Sequence, residues 1–132
     1  MATKTDDSKD EQESFPEDEI DLIEDSETLV KIKSIFEKEP KRVAVFTHRG
    51  PDPDAIGSMM SIQWFLKRAC GSECVLFYDG SISHPQNQTM VNLLDPGLKK
   101  VSSYEEEGAF DMHILVDTVP ENAGVAKNKI DF

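Results

Sequence analysis

No apolar run in this chain approaches the ~20 residues that a membrane-spanning helix needs. The N-terminus has neither the basic segment nor the apolar stretch of a secretory leader. Membrane insertion and secretion are therefore not expected, and the cytoplasm is the expected location. Cysteine is scarce, with only Cys70 and Cys74 in 132 residues. Two thiols at C-x-x-x-C spacing make no disulfide framework, and a zinc site would need two more ligands at matched spacing. Both are read as reduced, partly buried thiols. No basic stripe with interleaved aromatics is present. Lys67-Arg68 and Lys99-Lys100 are isolated pairs, so an extended nucleic-acid surface is not expected. There are no internal repeats. The loop after the first apolar strand lacks a glycine-rich phosphate fingerprint, which argues against a simple mononucleotide-binding domain.

Positive charge is also in deficit, with a formal net charge of -12. The deficit is local. Residues 1–29 carry twelve Asp/Glu against two Lys. Beyond residue 29 the acids and bases nearly balance, which leaves room for an anionic substrate on the body. Residues 1–25 are read as an acidic disordered tail and a candidate partner-binding segment, because so few apolar side chains cannot offset the entropy of ordering. Residues 26–132 are read as one domain with a modest core.

Within that domain the patterning alternates between helix and strand. Ser26 is a candidate N-cap for a helix reaching about Lys38, with Leu29, Ile32, Ile35 and Phe36 on one face and Pro40 as its stop. Arg42–Thr47 is a strand with an apolar middle, as expected of a strand buried on both faces of a parallel sheet. A helix from Ala55 to about Ala69 follows, with Ile56, Met59, Met60, Trp64 and Leu66 as its apolar members and Gly71 as its C-terminal cap. Cys74–Tyr78 is a second strand. Residues 87–94 suggest a short helix with Met90, Leu93 and Leu94 inward. Leu98–Val101 is a short strand, Met112–Val116 a further one, and Glu121–Gly124 a helical turn. This order predicts an α/β fold, a Rossmann-like and mainly parallel sheet with flanking helices. Polar residues that follow its strands then gather at the carboxyl edge, where such sheets build sites.

Two polar groups follow apolar strands directly: His48, Asp52 and Asp54 after the first, and Asp117 after the last. Hard divalent cations take carboxylate oxygens, and Mn²⁺ also accepts imidazole. Pro51 and Pro53 alternate with the carboxylates and restrict the loop. Asp52 and Asp54, two apart, point the same way in an extended segment and are placed to serve adjacent ions. Gly57 permits close approach of backbone to a ligand. Ala55 to Ser58 form a helix N-terminus, which favours an anion such as phosphate. Taken singly, His48 reads as a polar loop residue and Asp-Pro-Asp as a turn and helix cap. Taken jointly, with Asp117 ending a separate strand, the four read as metal ligands.

The segment Thr47–Ser58 resembles motif I of the DHH phosphoesterases, H-x-x-P-D-x-D-A-x-G-S, with His48, Pro51, Asp52, Asp54, Ala55, Gly57 and Ser58 all in place. The segment Ile114–Thr118 resembles motif II, a strand followed by Asp-Thr. The resemblance covers residues 40–132. It implies a two-metal phosphoesterase with two Mn²⁺ ions (Mg²⁺ as the alternative). His48, Asp52 and Asp117 would hold one ion, and Asp54 the other, with Asp117 bridging. Asp52, Asp54 and Asp117 would act through metal-bound water, and Gly57 and Ser58 would contact substrate, with His84 as a further candidate. The Asp-His-His motif that names the family is absent, as are a later Asp ligand and the glycine-rich substrate domain. The chain therefore resembles the N-terminal portion of such a domain, with an incomplete second metal site. His113, inside a strand, is read as structural.

The implied substrates are phosphodiesters or phosphomonoesters of nucleotides and short single-stranded oligonucleotides, as for an exonuclease, or inorganic pyrophosphate. A non-catalytic nucleotide- or metal-binding module is the competing reading. A truncated parallel sheet leaves an uncovered edge, so a homodimer is also an expected form.

Overall fold

A computed structural model describes residues 26–36, 41–128 and 130. The expected acidic tail over 1–25, the end of the first helix at Lys38 and its stop at Pro40 lie outside the described residues. Among those described, helix α1 spans Glu27–Phe36, strand β1 Arg42–Phe46, helix α2 Pro53–Cys70, strand β2 Glu73–Tyr78, helix α3 Pro85–Leu94, strand β3 Lys99–Lys100 and strand β4 Met112–Leu115. Short 3₁₀ helices cover Val101–Glu107, Pro120–Asn122 and Gly124–Asn128.

The four strands form one sheet in the order β3-β2-β1-β4. Every pairing is parallel, with Val45 opposite both Leu76 and Ile114. The fold is thus α/β and Rossmann-like. Val43 to Phe46 are wholly buried, so β1 has no solvent face and reads as one continuous apolar run. Along it the side chains alternate between two cores. Val43 and Val45 join Phe36, Met59, Phe65, Leu66 and Leu76 on the side covered by α1 and α2. Ala44 and Phe46 join Val75, Phe77, Val101, Ala123, Ala126 and Ile130 on the other. Each fully buried Val, Leu or Phe contributes about 1.5–3 kcal/mol.

Local chemistry sets the limits of α2. Asp52, in extended backbone, caps its start by accepting the Ala55 N–H at 2.9 Å, and Pro53 follows at the first helical position. Gly71 ends it in the left-handed region at φ 66°. Ser26 caps α1 more weakly, its hydroxyl accepting the Leu29 N–H at 3.4 Å. No helix among the described residues is long and apolar enough to cross a membrane.

Several surfaces differ from expectation. Ile35 is 57% exposed, and Trp64, expected inward, is 36% exposed. Its neighbour Phe65 is buried instead, in the cluster that holds Phe36, because α2 packs against α1 as well as the sheet. Helix α3 starts two residues earlier than predicted and buries no residue fully. Asn87, Met90 and Val91 are its half-buried positions, while Leu93 and Leu94 are 78% and 53% exposed. The chain turns away after them at Asp95, which has φ 40°. The strand expected over Leu98–Val101 is reduced to Lys99–Lys100, because Val101 is buried at the start of a 3₁₀ helix. The turn expected at Glu121–Gly124 is two 3₁₀ segments.

Candidate metal centre

The strand order decides where the site lies. β1 is followed outward by β2 and β3, and the chain then returns to β4 on the other flank of β1. The switch point is between β1 and β4, and the crevice at the carboxyl ends of such strands is the usual ligand position in open α/β sheets. The loop after β1 carries His48 and Asp52, and the loop after β4 carries Asp117. The Val116 N–H donates to the Phe46 carbonyl at 2.9 Å, which extends the β1–β4 pairing up to the site.

The β1–α2 loop is pinned from several sides. Gly50, at φ 65°, donates its N–H to the Asp79 carbonyl at 2.9 Å. Pro51 is fully buried, and its carbonyl accepts from the Asn87 amide at 3.1 Å. The His48 ring nitrogen Nδ1 is 3.0 Å from the Arg49 carbonyl. A carbonyl only accepts, so Nδ1 donates this bond, and the ring turns Nε2 toward the carboxylates.

His48 Nε2 is 3.8 Å from Asp52 Oδ1 and 3.7 Å from Asp117 Oδ2. One ligand atom from each of the three residues lies within 4.8 Å of the other two. The three side chains thus face one another closely enough for a cation, or a proton on Nε2, to lie between them. Separations of 3.7 and 3.8 Å are within reach of two donors on one small divalent ion, at about 2.1 Å each. The mix of one imidazole and two carboxylates suits Mn²⁺ better than Mg²⁺, which prefers all-oxygen shells. Asp117 has φ 55°, the left-handed region that few residues other than glycine adopt and that Asp tolerates.

Asp54 is outside this cluster. It lies in the first turn of α2 and lines an adjoining open cleft of about 790 Å³ with Gly57, Ser58, Ser61 and Asp117. Asp117 therefore belongs to both places. Gly57 and Ser58, predicted to meet substrate, are on the wall of this cleft. His84 is on the other side. It is exposed at the start of α3, makes no side-chain capping bond, and lines a cleft of about 440 Å³ with Arg49, Asp52, Ser81 and Asn87. Arg49 escaped the sequence reading. Its only signal there was a basic residue between two candidate ligands, and its direction depends on the path of the loop.

The remaining groups lie elsewhere. His113 Nε2 is 2.6 Å from the Tyr104 hydroxyl and is ringed by Phe46 and Phe110. Burial lowers its pKa. Cys70 and Cys74 are unbridged, and burial pushes the Cys74 thiol up to about 11.

No protein-family model matches the chain, and no solved structure does. An uncharacterized protein of Methanocaldococcus jannaschii is similar to it, 32% identical over 84 residues. That match takes in 64% of this chain and spans 17% of the relative's length.

Proposed function

We propose that the chain carries part of a metal-dependent phosphoesterase site, of the kind implied by the likeness of its two motifs to the DHH phosphoesterases. The observation that supports this most is the His48 Nε2 set 3.8 and 3.7 Å from the carboxylates of Asp52 and Asp117. In this reading His48, Asp52 and Asp117 hold one Mn²⁺ ion, and Asp54 shares Asp117 toward a second. When bound, such ions polarise a phosphoryl oxygen and acidify water. The chain's own residues orient the reaction. The Arg49 carbonyl orients the His48 ring, and the Ala55 N–H holds one oxygen of Asp52. Gly57 keeps the backbone of the first turns of α2 open to an anionic substrate. The substrates are phosphate esters of nucleotides and short oligonucleotides, or pyrophosphate.

Calorimetric titration with Mn²⁺, and hydrolysis of bis(p-nitrophenyl) phosphate, test the proposal on wild type and His48→Ala. Binding of Mn²⁺ that disappears in the variant is expected, with slow hydrolysis that disappears in parallel. Absence of binding, or binding indifferent to His48, would refute it. The position of Asp54 outside the three-residue cluster favours a second reading, a single-ion binding module without catalysis. One bound ion with no hydrolysis would select that reading.

A further inference from the structure

The carboxylate cluster has a basic neighbour that the reading above leaves unused. Arg49 lines the cleft of about 440 Å³ beside Asp52 and also one of about 540 Å³ that reaches Ser102 and Lys100. Arg49, Gly80 and Ser81 belong to both. The two therefore adjoin as one groove, from Asp52 across the carboxyl end of β2 to the end of β3.

Arg49 is built into this groove. Its stem lies on Gly80, where an added Cβ would stand 2.8 Å from Arg49 Cγ and 3.4 Å from Nε. Gly80 has φ 76°, and the Gly50–Asp79 hydrogen bond ties the two loops together. Other basic residues of the sheet are neutralised: Arg42 pairs with Glu73 and Glu107, and Lys99 with Glu107. Arg49 and Lys100 have no carboxylate partner among the described residues. Asp79 also lines the groove, and its carboxylate is held in place. Its Oδ1 accepts the Gly80 N–H at 2.7 Å, and its Oδ2 packs on Gly124.

We infer that this groove is an anion-binding subsite anchored by the Arg49 guanidinium, and that it takes a phosphate of the substrate other than the one attacked. A guanidinium fork matches phosphate oxygens in pairs. Ser81 and His84 offer further donors, and Lys100 extends the positive charge along the groove. The ligand class is a nucleotide ester with a second phosphate. Only the place of the attacked phosphate rests on the proposed function; binding at Arg49 does not require metal.

The test titrates the full chain, without divalent metal, with 5′-phosphorylated dithymidine and with the same dinucleotide lacking the 5′-phosphate. Amide NMR shifts of Gly80, Ser81 and Asn87 report the binding. The phosphorylated ligand is expected to bind about ten-fold more tightly. Arg49→Gln should abolish that preference without altering the rest of the amide spectrum, and Arg49→Lys should restore part of it. Gly80→Ala, which displaces the Arg49 stem and leaves its charge, should weaken the preference too. Equal affinity of wild type for both dinucleotides, or an unchanged preference in Arg49→Gln, overturns the inference. Mn²⁺ titration separates this from the metal reading. A chain that prefers the phosphorylated ligand through Arg49 but binds no Mn²⁺ keeps the subsite and loses the proposed function.

Discussion

Gly57 is the fifth residue of an eighteen-residue helix, a position where glycine costs the fold. A Cβ added there meets no heavy atom within 4 Å, and the backbone is not left-handed. Neither packing nor conformation therefore requires glycine. Gly57→Ala should stabilise the protein by about 0.8–1 kcal/mol, the difference in helix propensity. For a domain of roughly 100 residues that raises Tm by about 4–8 °C. Calorimetry and urea unfolding without metal measure it, and the urea slope should stay unchanged, because no core surface is altered. A lower Tm, or no change, would refute the reasoning. The same methyl stands on the wall of the cleft shared by Asp54 and Asp117. In the metal reading, the more stable variant should therefore bind phosphate esters less well, the usual conflict between stability and a ligand site.

Asp52 has two separable roles. Asp52→Ala should cost about 1 kcal/mol through loss of the helix cap, whereas Asp52→Asn keeps an acceptor for the Ala55 N–H and should stay within about 0.5 kcal/mol of wild type. Equal destabilisation by the two would count against the cap, and in the metal reading both should lose Mn²⁺ affinity in calorimetry. The thiol of Cys74, raised from 9.0 to about 11, stays neutral in the fold while an unfolded chain ionises. Its contribution is present below pH 9 and is lost as pH rises toward 11. Urea unfolding of Cys74→Ala should show a shallower alkaline decline than wild type; parallel curves would refute this. For His113 the sign is opposite, since burial lowers its pKa. Its contribution is present above about pH 6.5 and falls as the solution is acidified below that value. His113→Gln should flatten the acid limb of a Tm–pH curve, and an unchanged limb would contradict it.

The legible parts of the sequence were those where one local rule dominates. β1 reads correctly because Val43–Phe46 is apolar on both faces. The ends of α2 read to within two residues, because Asp52, Pro53 and Gly71 each act on backbone only a few residues away. Placing His48, Asp52, Asp54 and Asp117 after strands of a parallel sheet puts all four at one edge, whereas the grouping of His48, Asp52 and Asp117 comes from the resemblance. What failed depended on neighbours distant in sequence. Trp64 and Phe65 exchange roles because α1 packs on α2. Leu93 and Leu94 face solvent because α3 leaves the body at its last turn. Arg49 required knowing that Gly80, thirty-one positions away, leaves room for its stem.

Three features that local rules leave unexplained gather at one place in this fold, while a further left-handed residue, Asp95, closes α3 elsewhere. The His48 imidazole faces two carboxylates, Asp117 holds a left-handed backbone, and Gly57 sits inside a continuous helix without a packing reason. None of the three is demanded by either core. Much of the rest follows local rules: caps close the ends of α2, Arg42 is doubly paired, and the strands that carry the cores are apolar. Features of this kind persist in natural chains where a function over-determines them. All three lie around the crevice between β1 and β4, the one place in this strand order where the sheet opens between diverging connections. Their coincidence there, more than any one of them, supports the proposed reading of this crevice as a ligand site.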